Sequence, residues 1–260
     1  MARDAGLEPE LGRRVAVVSP HLDDAVLSLG ASIAGARRAG SAVTVVTVFA
    51  GDPSSTAPVD DWGRRCGFAT TGEMYRARRD EDRAALASLG ADPVWLPLDV
   101  DASDAEIAES VHAAIEDAES VLIPGSPCTH PDHLRVARLV VAAPPRGRVG
   151  LYVDQPYAMW RLLGTPVLAG RGRRANLATL TLRLSARRQL QAPWLAPELA
   201  ECVSRVEWQV VRARRREVAA KVRAVYRYGS QLRGFGRVTV PGILLYEAAA
   251  GGEQIGWTAE

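Results

Sequence analysis

Apolar positions run along this chain in two rhythms. "RVAVVS" (14–19), "AVTVVTVFA" (42–50), "PVWLPL" (93–98), "SVLIPG" (120–125) and "VGLYV" (149–153) are short and almost continuously apolar, the pattern of strands buried on both faces. Between them, "AVLSLGASIAGARRAG" (25–40), "EMYRARRDEDRAALASLG" (73–90), "DAEIAESVHAAIEDA" (104–118) and the segment opened by "HPDHLRVARLVVAA" repeat at helical spacing. Gly40 and Gly90 stand where helix C-caps belong. Strand and helix alternate to about residue 155, which predicts an α/β fold: a Rossmann-like parallel sheet with helices on both faces. "GDPSSTAPVDDWGRRCGFATTG" reads as a long polar loop. Beyond residue 155 the rhythm weakens. Residues 160–205 are Arg-rich and irregular; they are expected outside the core, as an insertion shaping a substrate mouth or an oligomer contact, with no central strand between Gly164 and Pro197. Residues 203–232 read as one long helix and "VTVPGILLYEAA" as a terminal strand. No internal repeat is visible, and one domain over residues 1–260 is the expectation.

Composition narrows this little. The chain is 47% apolar, with 32 basic against 30 acidic residues and a net charge of +2, so no nucleic-acid partner is implied. Lys221 is the single lysine; all other basic residues are Arg or His. Cys66, Cys128 and Cys202 are odd in number and far apart, which gives neither a disulfide framework nor a Cys-x-x-Cys metal site. The first residues, "MARDAGLEPELGRR", lack an apolar signal core, and no run of about 18 apolar residues exists. A soluble, cytoplasmic protein without membrane contact is expected, and a homo-oligomer is compatible with the sequence.

In parallel sheets the ligand crevice lies beyond the C-terminal strand ends. Two polar clusters fall there: "HLDD" (21–24) after the first strand and "HPDH" (130–133) after the fourth, holding three of the four histidines. His21 and Asp24 are good ligands for a divalent cation such as zinc, and a second imidazole from "HPDH" would make three, leaving a position for water as in catalytic sites. Such a water still needs a base beside it, and Asp23 adjoins Asp24. Either cluster alone reads more simply: an Asp at a helix start is usually a cap, and a single His is usually structural. Two clusters on neighbouring strand ends favour the metal site.

The same clusters resemble the motifs of the PIG-L/LmbE-like family of metal-dependent N-deacetylases, His-Pro-Asp-Asp-Glu and His-x-Asp-His. "RRDEDRAALASLG" (78–90), "YVDQPYA" (152–158) and "KVRAVYRYGSQ" (221–231) are similar to further segments of one branch. The resemblance is close over residues 13–158 and looser over 205–232. It implies removal of an N-acetyl group from an amino sugar or sugar-like metabolite, with one zinc, or another divalent metal, per chain. It implies His21, Asp24 and His133 as ligands and Asp23 as general base. His130 would stabilise an oxyanion or protonate the leaving amine, and Asp132 would orient a histidine. Arg78 matches a substrate contact, and Asp99, just after "WLPL", would hold a sugar hydroxyl. Leu22 and Ala25 stand where the family usually has Pro and Glu, and Cys128 where some members have Tyr; Tyr157 is the candidate to replace that Tyr at the substrate.

The expected partner is therefore a small N-acylated molecule, with antibiotic or other secondary-metabolite assembly as the expected setting. An amidase acting on a larger thiol or peptide conjugate is the enzymatic alternative, and a catalytically silent sugar-binding protein the non-enzymatic one. A dinucleotide-binding oxidoreductase is disfavoured because the first turn lacks Gly-x-Gly-x-x-Gly.

Overall fold

The structure, a computed structural model, describes residues 11–163, 193–203 and 205–259. Seven strands, β1 (Arg14–Ser19), β2 (Ala42–Thr47), β3 (Asp92–Trp95), β4 (Ser120–Ser126), β5 (Arg148–Val153), β6 (Val206–Val211) and β7 (Glu253–Thr258), form one sheet in the order β3-β2-β1-β4-β5-β7-β6. The first five run parallel; β7 pairs antiparallel with both β5 and β6. The helices are α1 (Asp24–Ala39), α2 (Asp61–Cys66), α3 (Thr71–Leu89), α4 (Asp104–Ile115), α5 (Pro131–Ala142), α6 (Tyr157–Leu163), α7 (Pro197–Ala200), α8 (Arg215–Val225), α9 (Gly229–Phe235) and α10 (Thr239–Ala250).

Strand period sorts the core into two layers. In β1, Val15 and Val17 face one apolar cluster, shared with α1, α3 and α8. Ala16 and Val18 face the other, shared with α4, α5 and α7. Burial on both faces explains why the strands read as apolar runs. α1 and α3 end on Gly40 and Gly90, both left-handed (φ 99° and 77°), as their positions predicted.

The C-terminal third departs from the sequence reading. The expected helix over 203–232 is a strand followed by two helices. In "VEWQVV", Val206 and Trp208 lie against the core while Glu207 and Gln209 point outward, a period of two inside an Arg-rich context that masked it. The helical part starts only at Arg215, where the Glu217 carboxylate accepts from the Arg214 N–H at 2.7 Å. "VTVPGILLYEAA" is helix α10, not a strand; Pro241 sits in its first turn, where no N–H is needed, and Val240, Ile243 and Tyr246 bury at three-residue spacing. The terminal strand is β7, whose first residues Glu253 and Gln254 are polar yet buried, so no apolar run announces it. The expected loop after β2 also contains the short helix α2. Residues 164–192 lie outside the described residues, and with them most of the expected mouth segment. Just beyond, Ala196 and Leu199 pack into the layer shared with α5.

β1 leads by way of β2 to β3 at one edge, and β4 leads to β5 on the other side. The chain therefore reverses its direction of progress between β1 and β4, and the crevice opens at their C-terminal ends.

Candidate metal centre

The turn after β1 is built by Ser19. Its hydroxyl donates to the His21 carbonyl at 2.7 Å and accepts from the Ala25 N–H at 3.0 Å. A hydroxyl thus caps the start of α1, and Asp23, at the N-cap position, makes no side-chain cap bond. Leu22 and Ala25 are buried, Ala25 in the apolar layer below. The Asp23 carboxylate is 3% exposed, and its Oδ2 has no hydrogen-bond partner. A buried carboxylate oxygen left unpaired is costly unless something else uses it. Burial, then the neighbouring Asp24, pushes the Asp23 pKa up to about 8, against His21, Arg78 and His133.

The second cluster opens α5, with Pro131 in its first turn and His130 as N-cap. It brings His133, fully buried, onto the first cluster. His21 Nδ1, Asp24 Oδ2 and His133 Nε2 form a near-equilateral triangle, with sides of 3.2, 3.1 and 3.2 Å. Ligand distances of about 2.0–2.2 Å around a tetrahedral ion put donor atoms roughly 3.3–3.6 Å apart, close to what is seen.

The outer partners decide the tautomers. His21 Nε2 lies 3.0 Å from Asp132 Oδ2, and His133 Nδ1 lies 2.7 Å from Asp154 Oδ2. Each carboxylate takes the ring N–H, so both inner nitrogens present lone pairs to one another and to the Asp24 oxygen. Three lone pairs converging on one point require a cation. Without a metal, a proton is drawn in. Burial lowers the His21 pKa, but Asp132 and Asp24 outweigh it and raise it to about 9. His133 is likewise raised, by Asp154 and Asp24 against burial, and the two imidazoles hold Asp24 well below the usual carboxylate range despite its burial.

Two other groups of three donors lie close by, His21/His130/His133 and Asp24/His133/Asp154. In the second, Asp154 is already engaged by the far nitrogen of His133. In the first, His130 Nδ1 accepts from the Asp132 backbone N–H at 3.2 Å, which puts the proton on Nε2 and makes His130 a donor. Burial, then His21 and His133, lowers its pKa to about 4, so it is a neutral imidazole.

The remaining residues singled out from sequence separate into two sets. Tyr157 is buried at the start of α6, its ring 5.0 Å from that of His133 and 5.8 Å from that of His130. Arg78 is buried with Nε unpaired, one Nη 3.6 Å from Cys66 Sγ, and its charge reaches Asp23. Asp99 lies further out, exposed, and accepts from the Tyr75 hydroxyl at 3.0 Å. Cys128 is buried in the apolar layer in a left-handed conformation (φ 48°) and acts as filler. Asp154 was not assigned a role from sequence; its place two residues after Tyr152 in "YVDQPYA", at the end of a core strand next to β4, was the signal.

Residues 16–144 match the PIG-L family, described as GlcNAc-PI de-N-acetylase. The chain belongs to the PIG-L family. Within it, the chain is similar in structure to the A40926 pseudoaglycone deacetylase Dbv21, with 26% identity, a TM-score of 0.71, and coverage of 95% of this chain and 96% of that one. A triple mutant of a deacetylase of the teicoplanin biosynthetic pathway gives 25% identity and a TM-score of 0.69, covering 94% and 97%. N,N'-diacetylchitobiose deacetylase from Pyrococcus horikoshii shares the fold at 15% identity and a TM-score of 0.54, covering 98% and 87%. No curated protein matches the chain by sequence. No helix among the described residues of this PIG-L member is long and apolar enough to cross a membrane.

Proposed function

We propose that the chain is a metal-dependent N-deacetylase that releases acetate from an N-acetylated amino sugar carried by a small secondary metabolite. The observation that carries this reading is the convergence of the His21, Asp24 and His133 lone pairs beside the buried Asp23 carboxylate, whose Oδ2 is unpaired. The activities of the two relatives at 25–26% identity, a deacetylase of an antimicrobial pseudoaglycone and a deacetylase of the teicoplanin biosynthetic pathway, support it. Their coverage of nearly the whole chain supports treating residues 1–260 as one catalytic domain.

In this reading His21, Asp24 and His133 hold one divalent cation, with zinc the proposed metal. When bound, that cation supplies Lewis-acid polarisation of the acetyl carbonyl and lowers the pKa of an attacking water. The protein supplies the rest. Asp23 takes the proton of the attacking water; a positive charge beside it would act as His21 and Arg78 already do and lower its pKa toward the ionised form a base needs. His130 donates a hydrogen bond from its Nε2–H to the developing oxyanion. Asp23 then returns its proton to the nitrogen, so that the products are a free amine and acetic acid, which ionises to acetate. Asp132 and Asp154 hold the two imidazoles in register. Arg78 and Tyr157 contact the substrate next to the reacting centre, and Asp99 binds a hydroxyl at the rim.

The test is acetate release by purified, zinc-loaded protein over a panel of free N-acetyl amino sugars and N-acetylated glycopeptide pseudoaglycones. Turnover of any member supports the reading. Binding of sugars without acetate release from any would favour a silent sugar-binding protein, and cleavage confined to thiol or peptide conjugates would favour the amidase.

A further inference from the structure

Helix α1, which begins with Asp24, is not continuous. At Leu29 its backbone leaves helical geometry (φ −127°, ψ 15°), so a first segment of little more than one turn, carrying Asp23 and Asp24, is separated from a longer second segment. A break inside a buried helix frees carbonyls before it and N–H groups after it, and these need partners.

The partners come from the far end of the chain. Glu253, at the start of β7, accepts from the Ala31 N–H at 3.0 Å and the Ser32 N–H at 2.7 Å, and also from the Ser32 hydroxyl. It serves as N-cap to the second segment. Lys221 of α8 donates from Nζ to the Ser28 carbonyl at 3.4 Å, the C-terminal end of the first segment, and pairs with Glu253 at 2.7 Å and with Glu247 of α10. The anion lies at the positive end of one helical segment and the cation at the negative end of the other, the arrangement that favours two short helix dipoles over one long one. Lys221 is 1% and Glu253 4% exposed. Gly30 permits the approach: a Cβ there would lie 2.7 Å from Lys221 Cγ. On the other side of the first segment, the Ser28 hydroxyl accepts from the Gln155 N–H at 3.0 Å, one residue beyond the Asp154 that holds His133.

We propose that Lys221 and Glu253 are positioning residues of the active centre: they set the break in α1 and thereby the direction of the short segment that presents Asp24 to the metal and Asp23 to the water. This rests on the metal-centre reading above. An ion pair of this kind gives little net stability over an apolar pair of equal volume, which fits a role in geometry rather than in holding the fold.

The test compares Lys221→Met, Glu253→Gln and the wild type by zinc competition against a chromogenic chelator, by acetate release, and by thermal melting of the metal-free protein. A positioning role predicts zinc affinity weakened by about 10–100-fold, the range for outer partners of metal ligands, in protein that still melts cooperatively above the assay temperature. A purely structural role predicts a lowered melting point with zinc affinity and kcat within twofold of wild type, which would overturn the proposal. Should Lys221→Met fail to fold, Glu253→Gln, near-isosteric but with one of the two acceptor oxygens replaced by an amide donor, carries the same comparison. If wild type binds zinc but deacetylates no substrate, the functional reading fails while the zinc comparison still decides this one.

Discussion

Asp23 and Asp24 are neighbours of the same type with opposite surroundings. Asp24 Oδ2 faces two imidazole nitrogens and the His21 N–H, while Asp23 Oδ2 faces no partner. Asp23→Asn should therefore cut acetate release by about 10²–10⁴-fold, the usual worth of a general base, while each chain still binds one zinc. Asp24→Asn should lose zinc instead, with activity partly restored by excess metal. Metal content by mass spectrometry and acetate release on both variants check the pair; loss of zinc in the first and retention in the second would reverse the two roles. Asp154 acts through His133, whose Nδ1 it holds at 2.7 Å. Asp154→Asn keeps the volume but removes the charge that fixes the His133 tautomer, and zinc affinity should fall by about 10–100-fold with the fold intact. Isothermal titration of the metal-free protein with zinc measures this directly.

At the scale of elements, the sheet sends the ends of β1, β4 and β5 into one crevice, and α8, α10 and β7 brace the helix that leaves β1. In that brace one ammonium serves two carboxylates. Glu247 is pushed up to about 7 by burial, with Lys221 opposing and Glu253 adding to the rise. Its folded-state pKa thus lies above the unfolded value of about 4.3, so the folded protein holds this proton more tightly than the unfolded chain. The stability it contributes is fully present below pH ~4.3 and is lost as pH rises to about 7. By pH 8 the ionisation of Glu247 costs roughly 3–4 kcal/mol. Glu247→Gln should remove that part of the slope and raise Tm at pH 8 relative to wild type by several degrees. Melting curves at pH 5 and pH 8 test it; a lower Tm for the variant at pH 8 would mean that Lys221 needs both counter-charges.

For the whole molecule, the centre joins segments more than 130 residues apart in sequence, from His21 to Asp154. A cation bound there ties together strands that the unfolded chain does not hold in register. Zinc at 100 times its Kd should add about 2.7 kcal/mol of stability by mass action, which for a chain of this size is roughly 5–10 °C in Tm. A chelator should reverse the shift, and His133→Ala should abolish it. A melting point indifferent to zinc would count against a metal centre.

What the sequence by itself determined was local in origin. Strands buried on both faces show as apolar runs, helices between them show a period of 3.6, and Gly40 and Gly90 mark helix ends because a left-handed residue is needed there. From that alternation the parallel sheet and its crevice follow, and the two clusters named His21, Asp23, Asp24, His130, Asp132 and His133 before their geometry was known. Only the tertiary structure decided the rest. That Ser19 caps α1 and releases Asp23, that Asp154 orients His133, and that Lys221 and Glu253 fill a break in α1 depend on contacts across the chain, which no periodicity encodes. The same cause explains the misread C-terminal third. β6 is half exposed at a sheet edge and β7 begins with buried polar residues, so neither carries the apolar run by which the central strands declare themselves. Their place was chosen by pairing with β5 and with each other, and not by their own composition.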